Sequence, residues 1–298
     1  MKNYVITGAT GNIGKIIAKE LLSKGEKVKV IGRSAEKLQE LVALGGIPQV
    51  GDVNDLAFLQ KAFEGADAVF CVNTPNLQSN DVRNEQEHIS DNFFNAVKSN
   101  KVKNVVLLSS IGADLKKGAG IVDGLGYMED LFLQLRDVNV LNLRPTYFME
   151  NTFGLIPTIK AMGFAGTPVK GDLQFPVVAT KDIAAVAARH LIALDFQGNT
   201  TEYVLGPKDY TYNEITQILG AKIGKPELNY VQFQYQDAIG GMVASGFCSE
   251  NVARHMVDLA KGLNEGHIKS KHPRSAQNTT PTTYEEFAEI VASAYKYS

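Results

Sequence analysis

The sequence contains no tryptophan, only two cysteines and no excess of proline. Cys71 and Cys248 stand far apart and match neither a metal-ligand spacing nor a redox pair, which argues against a disulfide scaffold and a zinc module. The five histidines are scattered, with no pair at a ligand spacing on one helix. No metal site is therefore predicted, and both cysteines are expected to be small buried apolar residues.

The chain also has no large excess of positive or negative charge and no long apolar run. Its 30 lysines and arginines balance 32 acidic residues, and a net charge of −2 excludes the dense positive field that sequence-independent nucleic-acid binding needs. The first apolar stretch, Tyr4-Val5-Ile6, is too short for a secretory signal, and no uncharged stretch approaches the width of a bilayer. We therefore expect a cytoplasmic globular protein that binds neither nucleic acid nor a membrane.

Short apolar runs alternate with longer amphipathic ones from residue 3 to residue 110, a rhythm typical of repeated βαβ units. The strands are predicted at 3–7, 27–31, 47–50, 67–72, 104–109, 140–143 and 201–205. The helices are predicted at 13–24, 35–44, 55–63, 84–100, 181–194, 212–223, 235–245, 250–262 and 283–296. The pattern predicts an α/β fold of the Rossmann type, with a doubly wound parallel sheet.

The alternation becomes hard to follow after the sixth strand, so two regions are predicted. Residues 1–150 are expected to form a dinucleotide-binding domain, to which 178–206 returns. Residues 151–177 and 207–298 are expected to form a smaller, mainly helical substrate-binding region. Within it, 264–282 is rich in Asn, Ser, Thr and Lys and has the composition of a linker.

A glycine-rich turn follows the first predicted strand and opens the first predicted helix. It reads Gly8-Ala9-Thr10-Gly11-Asn12-Ile13-Gly14. Gly8 permits the tight turn, Gly11 lets a pyrophosphate approach the backbone, and Gly14 lets the helix pack closely on the sheet. Backbone N–H groups at the helix start, around Thr10, Asn12 and Ile13, are expected to face the phosphates. The turn therefore predicts a dinucleotide site.

The end of the second strand indicates which dinucleotide binds. A carboxylate there would accept hydrogen bonds from the ribose of NAD, but the strand ends Gly32-Arg33-Ser34, without an acid. Arg33 offers a bidentate cation to a 2′-phosphate, Ser34 offers a hydroxyl, and Lys37 offers a second cation. NADP(H) is therefore predicted in preference to NAD(H).

Two more strand ends supply candidate cofactor contacts. Asp52 is predicted near the adenine amino group with Val53 against the ring, although a turn or helix-cap role explains Asp52 equally well. Asn73 and Thr74 end the fourth strand beside the expected nicotinamide ribose. Ser109 follows the fifth strand and is predicted to lie at the same edge.

The glycine spacing G-x-x-G-x-x-G resembles that of short-chain reductases, which use a Tyr-x-x-x-Lys pair whose lysine lowers the pKa of the tyrosine. Tyr127 occupies the corresponding helix, but Leu131 stands where the lysine belongs. Tyr127 is therefore a catalytic candidate without a cation beside it. A pocket-wall or core aromatic residue is an equally good interpretation.

Almost the whole chain resembles the NmrA-like family of atypical short-chain reductases. The matching segments are 8–14 (GATGNIG), 32–34 (GRS), 143–151 (LRPTYFMEN), 179–184 (ATKDIA) and 281–287 (PTTYEEF). The family includes NADPH-dependent quinone and dye reductases, plant ether and isoflavone reductases, and regulators that bind the dinucleotide without reducing anything. The resemblance implies a Rossmann-type fold and NADP(H) binding.

Quinones and cationic dyes accept hydride without a strong protein acid, so a site can act by holding the acceptor near nicotinamide C4 and excluding water. The pocket for such a planar, apolar substrate is predicted from Tyr147, Phe148 and Met149, with Asn151 as a polar orienting group. Core packing explains the three apolar side chains equally well.

Three functions remain open at this point. The first is an NADPH-dependent reductase of a small planar acceptor such as a quinone. The second is a redox sensor that binds NADP(H) and acts through a protein partner. The third and weakest is a nucleotide-sugar epimerase or dehydratase, because those enzymes normally need the Tyr-x-x-x-Lys pair. The sequence predicts no oligomeric state.

Overall fold

The computed structural model describes residues 1–298 and contains a seven-stranded sheet with helices on both faces. The strands are β1 (Asn3–Ile6), β2 (Lys27–Gly32), β3 (Ile47–Val50), β4 (Ala68–Val72), β5 (Asn104–Leu108), β6 (Asn139–Pro145), β7 (Tyr147–Phe148), β8 (Ala165–Thr167), β9 (Phe175–Val178), β10 (Asn199–Val204), β11 (Asp209–Tyr210) and β12 (Tyr230–Gln232). The main sheet has the order β10-β6-β5-β4-β1-β2-β3, with every neighbouring pair parallel and with β10 and β3 as its edges. The predicted Rossmann-type α/β fold is confirmed.

Helices cover both faces of this sheet. The helices of the chain are α1 (Asn12–Ser23), α2 (Ala35–Ala43), α3 (Leu56–Phe63), α4 (Val82–Ser99), α5 (Asp123–Phe132), α6 (Leu155–Met162), α7 (Thr180–Ala193), α8 (Tyr212–Lys222), α9 (Tyr235–Ala244), α10 (Glu250–Asn264) and α11 (Tyr284–Tyr297). Helices α1, α2 and α7 bury Ile17, Leu38 and Ile183 on one face, whereas α3, α4 and α5 bury residues such as Phe93 and Phe132 on the other. None of the helices combines the length and apolar character that crossing a membrane requires.

Local signals in the sequence fix where several of these helices begin and end. The Ser34 hydroxyl accepts a hydrogen bond from a backbone N–H in the first turn of α2, and Asp55 and Asp81 cap α3 and α4 in the same way. Gly25, at a φ of 77°, turns the chain from α1 toward β2. Helices α1, α2 and α3 therefore start shortly after β1, β2 and β3, and the carboxyl ends of the parallel strands meet at one edge of the sheet.

The chain beyond β6, together with the segment between β5 and α5, builds a second core, in which Tyr210, Tyr212 and Tyr284 are completely or almost completely buried. Besides helices this part contains two small sheets, β11-β9-β7 and β12-β8, which no pattern in the sequence predicts. Their strands are two to four residues long, too short to show an alternating pattern.

The segment with linker composition, 264–282, is fastened to the main sheet. The Leu205 N–H donates to the Asn278 carbonyl at 2.8 Å. Farther along, the Asp182 carboxylate at the start of α7 accepts from the backbone N–H of Thr282 at 3.0 Å and from its hydroxyl at 2.8 Å. This segment therefore fixes the start of α11 against α7 and β10. The predicted division of the chain into two domains stays a prediction.

Candidate cofactor and substrate site

The glycine-rich turn joins β1 to α1, and two of its glycines are required by the protein itself. Gly8 has a φ of 60°, and a Cβ there would lie 2.4 Å from Cγ1 of Val72. A Cβ on Gly14 would lie 2.4 Å from the Gly8 carbonyl oxygen. Gly11 is exposed, and a Cβ there would approach only that same oxygen, at 3.3 Å. Protein packing therefore explains Gly8 and Gly14, whereas the bare backbone at Gly11 fits a ligand that approaches closely.

The start of α1 is suited to an anion. Its N-cap, Gly11, has no side chain to offer, and the first turn carries no acidic residue, so no side chain caps the N–H groups of Asn12 and Ile13. The positive end of the helix dipole adds to their attraction for negative charge. Thr10 is half-buried beside Gly32, whose added Cβ would lie 3.0 Å from the Thr10 methyl group. The turn and the end of β2 are therefore immediate neighbours.

Two cations stand at this end of β2. Arg33 and Lys37 are both exposed, and neither side chain forms an ion pair or a hydrogen bond within the protein. The backbone ties the region to the glycine-rich turn, because the Ala9 N–H donates to the Ile31 carbonyl at 3.1 Å. Ser34 lies between the two cations, and its oxygen already caps α2. The donor set at this point fits a phosphate group better than a ribose hydroxyl.

The two residues predicted near the adenine have structural roles of their own. The Asp52 carboxylate accepts from the backbone N–H of Asn54 at 2.9 Å and from its side-chain amide at 2.8 Å, which makes Asp52 a turn residue. Val53 is half-buried and packs against the core between the sheet, α3 and α4. Neither contact excludes a ligand, and their adenine roles stay predictions.

Asn73 and Thr74 follow β4 and differ in burial. Asn73 is buried, and its amide donates to the Gln86 carbonyl at 2.7 Å and to the Ser90 hydroxyl at 3.0 Å, so that its side chain faces α4. Its Oδ1 atom has no partner. Thr74 is exposed. The side chain of Asn73 therefore serves the packing of α4, which leaves the backbone as its means of contacting a cofactor.

A buried network of charged groups joins β5, α5 and β6, and no spacing motif in the sequence marks it. The Glu129 carboxylate accepts hydrogen bonds from the Ser109 hydroxyl and from Nε of Arg144, the second at 2.9 Å. The side chains of Glu129 and Arg144 are only 9% and 11% exposed. Arg144 also reaches the Tyr203 hydroxyl at 3.1 Å and the Asp114 carboxylate at 3.6 Å. Burial disfavours the guanidinium cation, but the Glu129 carboxylate outweighs it and raises the pKa of Arg144.

Tyr127 points away from this network. Its hydroxyl donates to the Asp91 carboxylate of α4 at 2.9 Å. Burial and the Asp91 carboxylate both raise its pKa, the opposite of what the lysine of a Tyr-x-x-x-Lys pair does. The structure therefore places no acid near neutrality at Tyr127 and does not bring it together with Ser109.

The predicted substrate residues follow β6, and the structure separates them. Met149 is completely buried in the second core, so it is a packing residue and not a pocket wall. Tyr147 and Phe148 are half-buried and Asn151 is exposed, so these three keep surface that a ligand can reach. The Tyr147 hydroxyl accepts from that of Tyr212 at 3.0 Å. Sequence reasoning missed Tyr212, because it lies far along the chain at the start of α8.

The chain belongs to the NAD(P)H-binding family, whose model matches residues 8–191. It is 28% identical over 255 residues to the NAD(P)H azoreductase of Xenophilus azovorans, covering 86% of this chain and 85% of the relative. It is 25% identical over 266 residues to quinone oxidoreductase 2 of Escherichia coli (strain K12), covering 88% of each. The resemblance stated from the sequence is confirmed.

Solved structures give the same fold. Triphenylmethane reductase from Citrobacter sp., solved as a complex with NADP(H), superposes with a TM-score of 0.81 at 21% identity, over 97% of this chain and 99% of that one. An NADPH-dependent quinone oxidoreductase from Escherichia coli, complexed with NADPH, gives a TM-score of 0.80 at the same identity and coverage. Nearly the whole chain, including the part beyond β6, therefore follows one known architecture.

Proposed function

We propose that the protein is an NADPH-dependent reductase that transfers a hydride to a small planar acceptor such as a quinone. Membership in the NAD(P)H-binding family and the reductase names of its relatives support an NAD(P)H-dependent oxidoreductase. The observation that carries the choice of NADPH is the pair Arg33 and Lys37, which stand exposed and without a protein partner beside the glycine-rich turn.

Each part of the site has a separate task in this proposal. The N–H groups of Asn12 and Ile13 bind the pyrophosphate, and Arg33 with Lys37 binds the 2′-phosphate. When bound, the cofactor supplies the hydride. Tyr147 and Phe148 form the apolar wall that excludes water around the acceptor, and Asn151 orients its polar group.

Replacing Arg33 by alanine is expected to raise the dissociation constant for NADPH about 10- to 100-fold, because charge-assisted hydrogen bonds to the phosphate are lost. The constant for NADH should change less than twofold, since NADH has no 2′-phosphate. Both constants are measured by isothermal titration calorimetry. Arg136→Ala is the matched control, because Arg136 is also exposed and unpaired but lies after α5. If the ratio of the NADPH and NADH dissociation constants is unchanged in Arg33→Ala, Arg33 does not bind the 2′-phosphate.

Turnover decides between a reductase and a redox sensor. NADPH oxidation is followed at 340 nm with a panel of quinones, azo dyes and cationic triphenylmethane dyes. Steady oxidation with at least one acceptor supports the reductase. Tight NADPH binding without oxidation across the panel would favour a sensor that acts through a protein partner.

A further inference from the structure

Reduction of a quinone places negative charge on the acceptor oxygen, and a hydroxyl proton that is not already engaged is the group best suited to meet it. The hydroxyls of Tyr127 and Ser109, the residues that correspond to the tyrosine helix and the fifth strand of short-chain reductases, are both committed. Tyr127 donates to Asp91, and Ser109 donates to Glu129. Neither can donate to an acceptor without breaking a hydrogen bond to a carboxylate.

Tyr147 has the opposite arrangement. Its oxygen accepts a hydrogen bond from the Tyr212 hydroxyl at 3.0 Å, so the proton of Tyr147 itself remains without an acceptor in the protein. Tyr212 is almost completely buried, whereas Tyr147 is half-buried and keeps an accessible surface. Of the two phenols, only Tyr147 can therefore face a bound molecule.

The ring of Tyr147 is also fixed in direction. Tyr147 belongs to β7 and pairs with Val177 of β9. Its ring meets that of Phe175 edge to face, with centroids 5.4 Å apart, and Tyr212 stacks on Tyr230 with centroids 5.0 Å apart. Such packing holds the donor in one orientation before the acceptor arrives, as hydrogen-bond catalysis requires.

We infer that Tyr147 is a catalytic residue that donates its hydroxyl proton to the acceptor oxygen, and that Tyr212 is a positioning residue that turns this proton toward the acceptor. The inference rests on the proposed function. The quinone gains a hydride from NADPH and one proton through Tyr147, which water then reprotonates, so that hydroquinone and NADP⁺ are the products. Negative charge on the oxygen is neutralised as it forms.

The protonation state of Tyr147 agrees with a donor role. Burial raises the pKa of its hydroxyl, and the hydrogen bond from Tyr212 partly opposes this rise. The phenol therefore carries its proton at neutral pH. The same hydrogen bond stabilises the phenolate that a proton transfer leaves behind.

The test compares two acceptors in one enzyme. A quinone needs a donor to its oxygen, whereas a cationic triphenylmethane dye takes hydride at its central carbon and becomes neutral without a proton. Tyr147→Phe should lower kcat for the quinone at least about 100-fold and leave kcat for the dye within about twofold. It should also weaken quinone binding to the NADP⁺-loaded protein about fivefold, measured by calorimetry.

Two further variants separate catalysis from structure. Tyr212→Phe breaks the same hydrogen bond but leaves the Tyr147 hydroxyl in place, so its loss with the quinone should be clearly smaller. Tyr235→Phe removes an oxygen that accepts from Asn264, also at 3.0 Å, and should leave both activities unchanged. Thermal unfolding of every variant checks that it is folded.

The outcomes are distinct. A wild-type protein that reduces neither acceptor would overturn the proposed function itself. With an active wild type, three results would overturn the role of Tyr147: equal losses for both acceptors, equal losses in Tyr147→Phe and Tyr212→Phe, or loss of quinone reduction in Tyr127→Phe instead.

Discussion

Replacing Arg144 by alanine is expected to lower the free energy of unfolding by about 3–5 kcal/mol, because it leaves a buried carboxylate without its partner. Glu129 would lose both of its bonds to the guanidinium and keep only the one from Ser109. Asp114, 13% exposed, would lose Arg144 at 3.6 Å and keep its ion pair with the exposed Lys271. Urea denaturation followed by circular dichroism measures the effect, with the slope of the transition checking that unfolding remains cooperative.

An exposed pair provides the control. Arg254 and Glu250 form an ion pair on α10 with side chains 55% and 61% exposed. Arg254→Ala should cost less than about 1 kcal/mol, since water already screens that pair. Equal effects of Arg144→Ala and Arg254→Ala would contradict the assignment of the Glu129 and Arg144 pair to a desolvated interior.

Replacing Gly14 by alanine is expected to weaken NADPH binding about 100-fold, because a displaced start of α1 gives up hydrogen bonds to a charged pyrophosphate that are worth about 1.5–3 kcal/mol each. The added Cβ would lie 2.4 Å from the oxygen and 2.8 Å from the carbon of the Gly8 carbonyl, and 3.1 Å from Cα of Ala9. All three atoms belong to the backbone, so no side chain can move aside. The start of α1 must instead shift away from the glycine-rich turn.

Gly240 is the matched control for this substitution. It lies inside α9, its φ is ordinary, and a Cβ there would meet no atom within 4 Å. Gly240→Ala should leave NADPH binding unchanged and stabilise the protein by up to about 1 kcal/mol, since alanine favours a helix more than glycine does. Unchanged NADPH binding in Gly14→Ala would mean that the turn tolerates a wider approach of α1 than its contacts indicate.

The main sheet could be predicted from the sequence because its strands are buried on both faces and alternate with amphipathic helices. The glycine-rich turn could be predicted because its requirements are local: Gly8 has a φ of 60°, and Gly14 packs against the Gly8 carbonyl. Arg33 could be placed for the same reason, since it directly follows β2. These are short-range relations that depend little on the rest of the chain.

The placement of the other candidate site residues depends on packing that no local pattern reveals. Tyr127 and Glu129 are two positions apart on α5 and therefore point in different directions, and only the contacts of the helix decide which one faces the strand ends. A Cβ on Gly126 would lie 2.3 Å from the Ala113 carbonyl oxygen, so a close approach at this glycine helps to set that choice. Similarly, Tyr147 and Tyr212 meet although 65 residues separate them.

The order of strands in the main sheet has a consequence for synthesis on the ribosome. Six of the seven strands are complete once β6 has emerged, but β6 pairs on its outer side with β10, which ends only at Val204. Until then the apolar strand β6 is an unprotected edge that can pair with other chains. The opposite edge, β3, is short and contains Pro48, which limits such pairing permanently. Translational pausing between β6 and β10 should therefore promote aggregation of the nascent chain, whereas pausing after β10 should not.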